Sequence, residues 1–184
     1  MPDKTAIKRA REDKRQGKSP TTQAGEFVRE EIHHVREGTH GARSPKQAIA
    51  IGLSKARRAG IDLPPPRRGK TSERTRKSAE RAYARGHGEP PKRPPSASRS
   101  QAIHRALERE GKSAASRTAL SKQAHTAARQ RTAAERSAAA KKAARTKGPA
   151  KRHAAAMKAV ETKGHAGLSR AAKKAARTPA ARGR

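Results

Sequence analysis

The sequence predicts an all-α protein with two unlike parts, a small N-terminal helical hairpin or three-helix module and a largely disordered, conditionally helical basic tail. Residues 1–63 hold ten of the large apolar side chains, whereas residues 111–184 carry twenty Lys and Arg against two acids, with alanine between the charges. Alanine buries too little apolar surface to offset the entropy of ordering a chain. We therefore expect a packed core only in the front part.

The first predicted helix of the hairpin begins at a Ser-Pro pair. Ser19 is a preferred N-cap residue, and Pro20 suits the first helical position because its missing N–H would have no partner there. An apolar stripe at helical spacing then runs through Phe27, Val28, Ile32 and Val35. Gly38 follows as the stop signal.

The second helix of the hairpin begins at Ser44, with Gln47 at the capping-box position. Its apolar face carries Ile49, Gly52, Leu53 and Ala56 before the stop at Gly60. Gly52 removes a side chain where the other helix can approach, which predicts a close crossing of the two helices. We also expect Leu53 to lie in the core.

Other segments extend this module and separate it from the tail. A basic helix over residues 3–16 adds Ile7 to the module. Ile61 and Leu63 fold back over the end of the second helix, and three prolines then end the unit. The predicted divisions are 1–63 for the module, 64–96 for a basic helix between proline-rich linkers, 97–110 for a short helix and 111–184 for the tail.

Repeated motifs mark the second half of the chain. The residues at 98–103 repeat the Ser-x-x-Gln-Ala-Ile motif of residues 44–49, and AAKKAART occurs at 139–146 and again at 171–178. Glycines at Gly148, Gly164 and Gly167 predict that the tail is broken into several helical pieces.

The composition favours a polyanionic partner and excludes several classes of protein. The net charge is +32 with a pI near 11.8, the electrostatic footprint of a nucleic-acid binder. No cysteine is present, which excludes disulfides and thiolate sites. No run approaches the roughly 18 apolar residues of a membrane span, and the N-terminus lacks a signal-peptide pattern. We expect a protein of the cytoplasm and the nucleoid, with no membrane partner.

The predicted DNA contacts are cations spread along the tail. As a helix, the tail would carry about one net positive charge per 6 Å at a rise of about 1.5 Å per residue, against about one phosphate charge per 1.7 Å of duplex axis. The residues predicted to contact phosphates are Lys141, Lys142, Arg145, Lys147, Lys151, Arg152, Lys173, Lys174 and Arg177.

Two short basic segments have the composition of minor-groove hooks. In such hooks a glycine lets extended basic side chains lie along a narrow A·T groove. One segment has Arg67, Arg68 and Lys70 around Gly69, and the other has Arg182 and Arg184 at the C-terminus. In a chain this rich in arginine and glycine, such tripeptides arise by chance more often than as hooks.

No catalytic, cofactor-binding or metal-binding residue is predicted. Gly69-Lys70-Thr71 imitates the end of a phosphate-binding loop, but no strand precedes it and Pro64 stands where the first glycine belongs. His33 and His34 lie near Glu30, Glu31 and Glu37, a pattern that a solvated polar helix face explains more often than a metal site. We therefore predict that the protein is not an enzyme.

The front segment resembles a family of uncharacterised small basic bacterial proteins. The resemblance covers residues 18–60 and is most specific in SPKQAIAIGLSKARRAG, residues 44–60. The tail resembles linker-histone tails by composition alone. The family resemblance implies a bacterial source and a helical module, and it brings no binding residues with it.

Together these observations predict sequence-independent binding and compaction of double-stranded DNA by a nucleoid-associated, histone-like protein. The alternatives are an RNA-binding or ribosome-associated basic protein, and an adaptor whose helical module docks a protein partner while the tail localises it. The scarcity of aromatic residues disfavours recognition of splayed single-stranded bases and leaves duplex RNA open.

Overall fold

A computed structural model describes residues 3–90 and 96–182, with side chains described up to residue 177. These residues form helices and no strand, which confirms the all-α prediction. The helices are α1 (Lys4–Arg15), α2 (Pro20–Glu37), α3 (Pro45–Arg58), α4 (Glu73–Gly86), α5 (Ala97–Glu108), α6 (Arg117–Arg129) and α7 (Ala133–Arg182), with a 3-10 turn at Ser113–Ala115. The proline-rich stretch at 91–95 lies outside the described residues.

The predicted capping signals of α2 and α3 lie where the helices begin. Ser19 and Ser44 are the N-caps, each followed by proline at the start of the helix. Ser44 Oγ accepts the Gln47 N–H at 3.3 Å, as in a capping box, but Gln47 Oε1 accepts from the Arg43 N–H instead of the Ser44 N–H. The reciprocal half of the predicted box is thus displaced by one residue.

Glycines in the left-handed conformation end the same helices. Gly38 has φ 86° after α2, and Gly60 has φ 81° after α3. At α3 the Ile61 N–H donates to the Ala56 carbonyl and the Gly60 N–H to the Arg57 carbonyl, which is the Schellman pattern. This turn folds Ile61 back into the core, as predicted.

The core of α1, α2 and α3 consists mainly of alanine around one aromatic ring. Phe27 is 1 % exposed and packs with fully buried alanines and with Ile61. The alanines are Ala6, Ala10, Ala24 and Ala56. Leu53 is partly buried and packs against this cluster, so it is less buried than the sequence predicts. The three-helix alternative for the module is the one that the structure has.

The close crossing predicted at Gly52 is confirmed. A Cβ built on Gly52 would lie 2.7 Å from Val28 Cα and 3.0 Å from the Phe27 carbonyl oxygen. The backbones of α2 and α3 therefore approach closely enough that only glycine fits without a shift. A buried ion pair also joins the two helices, because Lys55 Nζ donates to Glu31 Oε2 at 2.5 Å.

Elements beyond residue 63 pack on this module as well. Helix α4 packs on α3, and the Arg57 guanidinium donates to the Leu63 carbonyl at 3.0 Å and to the Pro64 carbonyl at 3.4 Å. Burial lowers the pKa of Arg57, although an arginine remains charged at neutral pH. Ala114 and Ala115 of the 3-10 turn form a second core cluster with Val35 and other residues of the module.

The compact unit therefore extends to Thr126, and a second unit begins at Ala127. Independent folding of residues 1–63 stays a prediction. Ala114 and Ala115, which the sequence predicts as part of the tail, contribute buried side chains to this unit. The repeated motif at 98–103 does not repeat its environment, because α5 is capped by Ser96 and Ile103 is 55 % exposed.

The tail is helical in α7, so the prediction of a largely disordered tail is not confirmed. Alanine, lysine and arginine are among the strongest helix formers, and this local preference acts without a hydrophobic partner. The helix is interrupted where Gly148 has φ 68° and ψ 169° and where Gly164 has φ 62° and ψ 171°. Gly167, the third predicted break, lies within the helix.

Candidate nucleic-acid interface

All nine predicted phosphate-contacting residues are exposed on α7. They lie on three helical pieces that the two non-helical glycines delimit, at 133–147, 149–163 and 165–182. Residues 133–182 contain fourteen Lys or Arg and two Glu. The net charge of +12 on these 50 residues corresponds to one charge per about 6 Å of helix at a rise of about 1.5 Å per residue.

The helical pieces follow a 16-residue period that the sequence predictions did not include. Thr132, Gly148 and Gly164 are 16 residues apart, and each directly precedes one piece. Thr132 forms a reciprocal capping box with Glu135, with bonds of 3.1 and 2.9 Å. The 32-residue spacing of AAKKAART is two of these periods, and the intervening copy is obscured by Met157, Val160 and Glu161.

The two breaks have a backbone conformation that is essentially restricted to glycine. A positive φ with ψ near 170° lies outside both helical regions, so the chain changes direction at Gly148 and at Gly164. Nothing lies within 4 Å of a Cβ built on either glycine. Backbone conformation, and not crowding, is therefore the reason that these joints need glycine.

The first predicted minor-groove segment is folded into a turn. The Lys70 N–H donates to the Arg67 carbonyl at 3.2 Å, and Gly69 has φ 79°. An extended hook would require this turn to open. Arg182 is the last described residue of α7, without a described side chain, and Arg184 lies outside the described residues. The use of these residues in a minor groove stays a prediction.

A second basic surface lies on the folded unit along α1. Lys4, Lys8, Arg11 and Arg15 recur at helical spacing and line a groove of about 810 Å³ together with Ile7 and Lys14. The sequence predicts a basic helix here, but the predicted nucleic-acid contacts lie elsewhere. The signal was present in the i, i+4, i+7, i+11 spacing of these cations.

Two groups of acidic and histidine side chains have ligand atoms within 4.8 Å of one another in the described part of the chain. One is Glu31, His34 and His40, and the other is Asp3, Glu30 and His34. In the second group, hydrogen bonds from Thr5 lower the pKa of Asp3, which caps α1. The acids and histidines of α2 are visible as a pattern in the sequence, whereas His40 lies beyond the helix end and was missed.

Gly69-Lys70-Thr71 lies in a turn before α4, and no strand precedes it within the described residues. The chain therefore lacks the strand–loop–helix context of a phosphate-binding loop there.

None of the described helices is long and apolar enough to cross a membrane.

The resemblance noted for the front segment coincides with α2 and α3. Neither a curated protein nor a solved structure matches the chain. Residues 13–68, from the last residues of α1 to the turn before α4, match the family of unknown function DUF6496, which confirms the predicted relation to an uncharacterised family.

Proposed function

We propose that the protein binds duplex DNA without sequence preference and compacts it, as a nucleoid-associated, histone-like protein. The observation that carries the proposal is the set of nine exposed cations on glycine-jointed helices with a net charge of +12 over residues 133–182. In this mechanism Lys and Arg neutralise phosphates and release condensed counterions. Phosphate contacts carry no direct sequence information, so the binding is independent of base sequence.

The glycine joints give the tail a shape that suits a duplex. A continuous helix of 50 residues would be about 75 Å long and straight, whereas one turn of DNA spans about 34 to 36 Å. A straight rod diverges from a helical groove after a fraction of a turn. Three pieces of 15 to 18 residues, each about 22 to 27 Å long, can instead follow the groove when Gly148 and Gly164 change the chain direction.

DNA should also increase the helix content of the tail. Isolated helices of about 12 to 15 residues are marginal in water even when alanine-rich. Lys141 and Arg145, and likewise Lys173 and Arg177, are like charges at i,i+4 spacing, which destabilises the first and the third piece. Phosphates remove this repulsion while the alanine propensity remains, so binding and helix formation support each other.

Duplex RNA is the second candidate partner, because it presents the same phosphate charge. The chain has one Phe, one Tyr and no Trp, so it lacks the aromatic platforms that bind unstacked bases. The major groove of A-form RNA is deep and narrow, whereas that of B-DNA admits an α-helix. Helical pieces without aromatics therefore favour duplex DNA.

The test measures the affinity of the full chain for mixed-sequence duplex DNA as a function of salt. If about eight side chains contact phosphates, log affinity should fall against log salt with a slope of about −7. Replacing Lys141, Lys142, Lys173 and Lys174 together by Gln should reduce the slope to about −4, because each contact contributes about 0.9. Arginine at the same four positions keeps the charge and is the matched control, with an unchanged slope.

Three outcomes contradict the proposal. Binding that is flat in salt, binding that one Lys→Gln change abolishes, and binding that survives deletion of residues 132–184 each require a localised structured site. Competition with duplex RNA of the same sequence separates the two partners. Equal or stronger displacement by RNA transfers the proposal from DNA to RNA while leaving the electrostatic mechanism intact.

A further inference from the structure

Glu31 is a buried carboxylate with one oxygen unsatisfied. Its side chain is 0 % exposed, and Lys55 on α3 donates to Oε2 at 2.5 Å. Oε1 accepts no hydrogen bond from the described residues. Buried polar atoms in native proteins nearly always have a partner, so an orphaned carboxylate oxygen calls for one.

The His40 ring lies beside this oxygen, and the tautomer of the neutral ring follows from its other contact. His40 Nδ1 lies 3.1 Å from the Gly41 carbonyl oxygen, which can only accept, so Nδ1 carries the hydrogen. In the neutral ring Nε2 then presents a lone pair, and this atom lies 3.4 Å from Glu31 Oε1. Two lone pairs facing each other require a cation between them, either a proton or a metal ion.

The separation of the two atoms fits two ligands of one metal ion. A charged N–H to carboxylate hydrogen bond is about 2.7 to 2.9 Å long. Two ligands of a tetrahedral zinc ion, each bonded at about 2.0 to 2.1 Å, lie about 3.3 to 3.4 Å apart. The observed 3.4 Å between His40 Nε2 and Glu31 Oε1 matches the second distance and exceeds the first.

His34 supplies a third ligand from the same helix face as Glu31. The two residues are three positions apart on α2, and a ring nitrogen of His34 lies within 4.8 Å of the ligand atoms of Glu31 and His40. Glu30 Oε1 lies 3.3 Å from His34 Nε2. A carboxylate beside a histidine ring is the partner that orients metal-bound imidazoles, and the Gly41 carbonyl has that role for His40.

We propose that Glu31, His34 and His40 bind one divalent transition-metal ion of the zinc class. Two imidazoles and one carboxylate are a ligand set that zinc accepts, with a fourth position left for water. The left-handed turn at Gly38 brings His40 back toward α2. The bound ion would therefore fasten the loop between α2 and α3 to α2, while Lys55 holds the second oxygen of Glu31 from α3.

The test adds Zn²⁺ alone to the metal-free full chain and measures heat and stoichiometry by titration calorimetry. We expect one site tighter than any binding by the other histidines, a visible absorption band of tetrahedral intensity with Co²⁺, and a thermal midpoint that rises with Zn²⁺. His40→Gln should weaken this site at least tenfold and remove the rise in midpoint. His33→Gln is the matched control on α2, because His33 is 62 % exposed beside Glu37 and is not in the group; its affinity should be unchanged.

Nitrogen-detected NMR of the wild-type histidine rings makes the test independent of any variant. Zn²⁺ should shift Nε2 of His40 in a stoichiometric, saturable manner before it affects His33. Absence of a one-to-one site, an equal loss in His33→Gln and His40→Gln, or first changes at His33 would overturn the proposal. The pair would then be a proton-bridged imidazolium and carboxylate only.

Discussion

The folded unit and the tail both consist of helices, but they use alanine in opposite ways. Ala6, Ala24 and Ala56 are 0 % exposed and let α1, α2 and α3 approach closely around Phe27. In α7 the alanines lie mostly at the surface between exposed cations. Helix formation in the first region therefore depends on tertiary packing, whereas in the second it depends on local propensity and on charge.

Glycine differs between the two regions in the same manner. Gly52 is required by what surrounds it, because Val28 leaves no room for a Cβ. Gly148 and Gly164 have nothing near them and are required by their own backbone angles. Substitutions should therefore affect stability in the folded unit and shape in the tail, and this difference can be tested position by position.

The largest effect on stability is expected for Phe27→Ala. This ring is the central large side chain of the alanine-rich core, so its removal should cost about 3 to 5 kcal/mol. So small a unit is expected to lose much of its cooperative unfolding transition. Met157→Ala in the tail is the control, because Met157 is 56 % exposed and should leave the transition within about 0.5 kcal/mol.

Thermal and urea unfolding followed by circular dichroism measure both variants. Equal, small effects would mean that the α1–α3 core does not hold the unit together. Leu53→Ala is an intermediate case. Because Leu53 is only partly buried, the free energy of unfolding lost in this variant should fall between the losses in the other two variants.

A smaller loss of stability is expected for Gly52→Ala. The new Cβ would lie 2.7 Å from Val28 Cα, and the overpacking should cost about 1 to 3 kcal/mol. Gly25→Ala is the matched control on α2, since no atom lies within 4 Å of its Cβ, and it should stabilise the helix by up to about 1 kcal/mol. Stabilisation by both substitutions would be incompatible with the close helix crossing.

The sequence predicted the helix boundaries well where the signal is local. Ser19, Ser44, Gly38 and Gly60 act through their own backbone or the adjacent turn, and the structure has them at the expected ends of α2 and α3. The contact at Gly52 was also predictable, because a glycine within a helix costs stability and on an apolar face indicates a close approach of another backbone.

The features that the sequence did not predict depend on residues that are distant in the chain, or on whether helix propensity outweighs the lack of burial. Ala114 and Ala115 look like tail residues, and only their packing against Val35 places them in a core. His40 lies in a loop, and its approach to Glu31 depends on the turn at Gly38. In the tail, the alanines bury too little apolar surface, which predicted disorder. The helix propensity of the same residues accounts for α7.

Gly148 and Gly164, the joints of the tail, can be compared with Gly167 in the same helix α7. Replacing Gly148 and Gly164 together by Ala should raise the helix content, because alanine disfavours the positive φ and continues the helix. Affinity for long duplex DNA should fall several-fold, since a straight rod follows less of the groove. Gly167→Ala also adds helix propensity but removes no joint, so it should leave affinity unchanged.

Circular dichroism and binding to duplexes of increasing length measure this pair. On a duplex shorter than one helical piece the double variant and the wild type should bind equally. A double variant that binds long DNA as well as the wild type would contradict the role of the joints, while the salt dependence would still report on the charge.

The smallest expected effect concerns Tyr83 on α4, which links this helix to the segment after α3. Its hydroxyl donates to Asp62 Oδ1 at 2.7 Å, and this hydrogen bond raises the pKa of Tyr83 above its ordinary value of about 10. Because the folded pKa is the higher one, the contribution to stability is complete below about pH 10 and is lost as pH rises through the folded pKa.

Tyr83 is the one tyrosine and tryptophan is absent, so tyrosinate absorbance follows this group alone. Asp62→Ala should move the titration to lower pH, toward that of the unfolded chain, whereas Glu89→Ala should not. An unchanged titration in Asp62→Ala would mean that the Tyr83–Asp62 hydrogen bond does not form in solution.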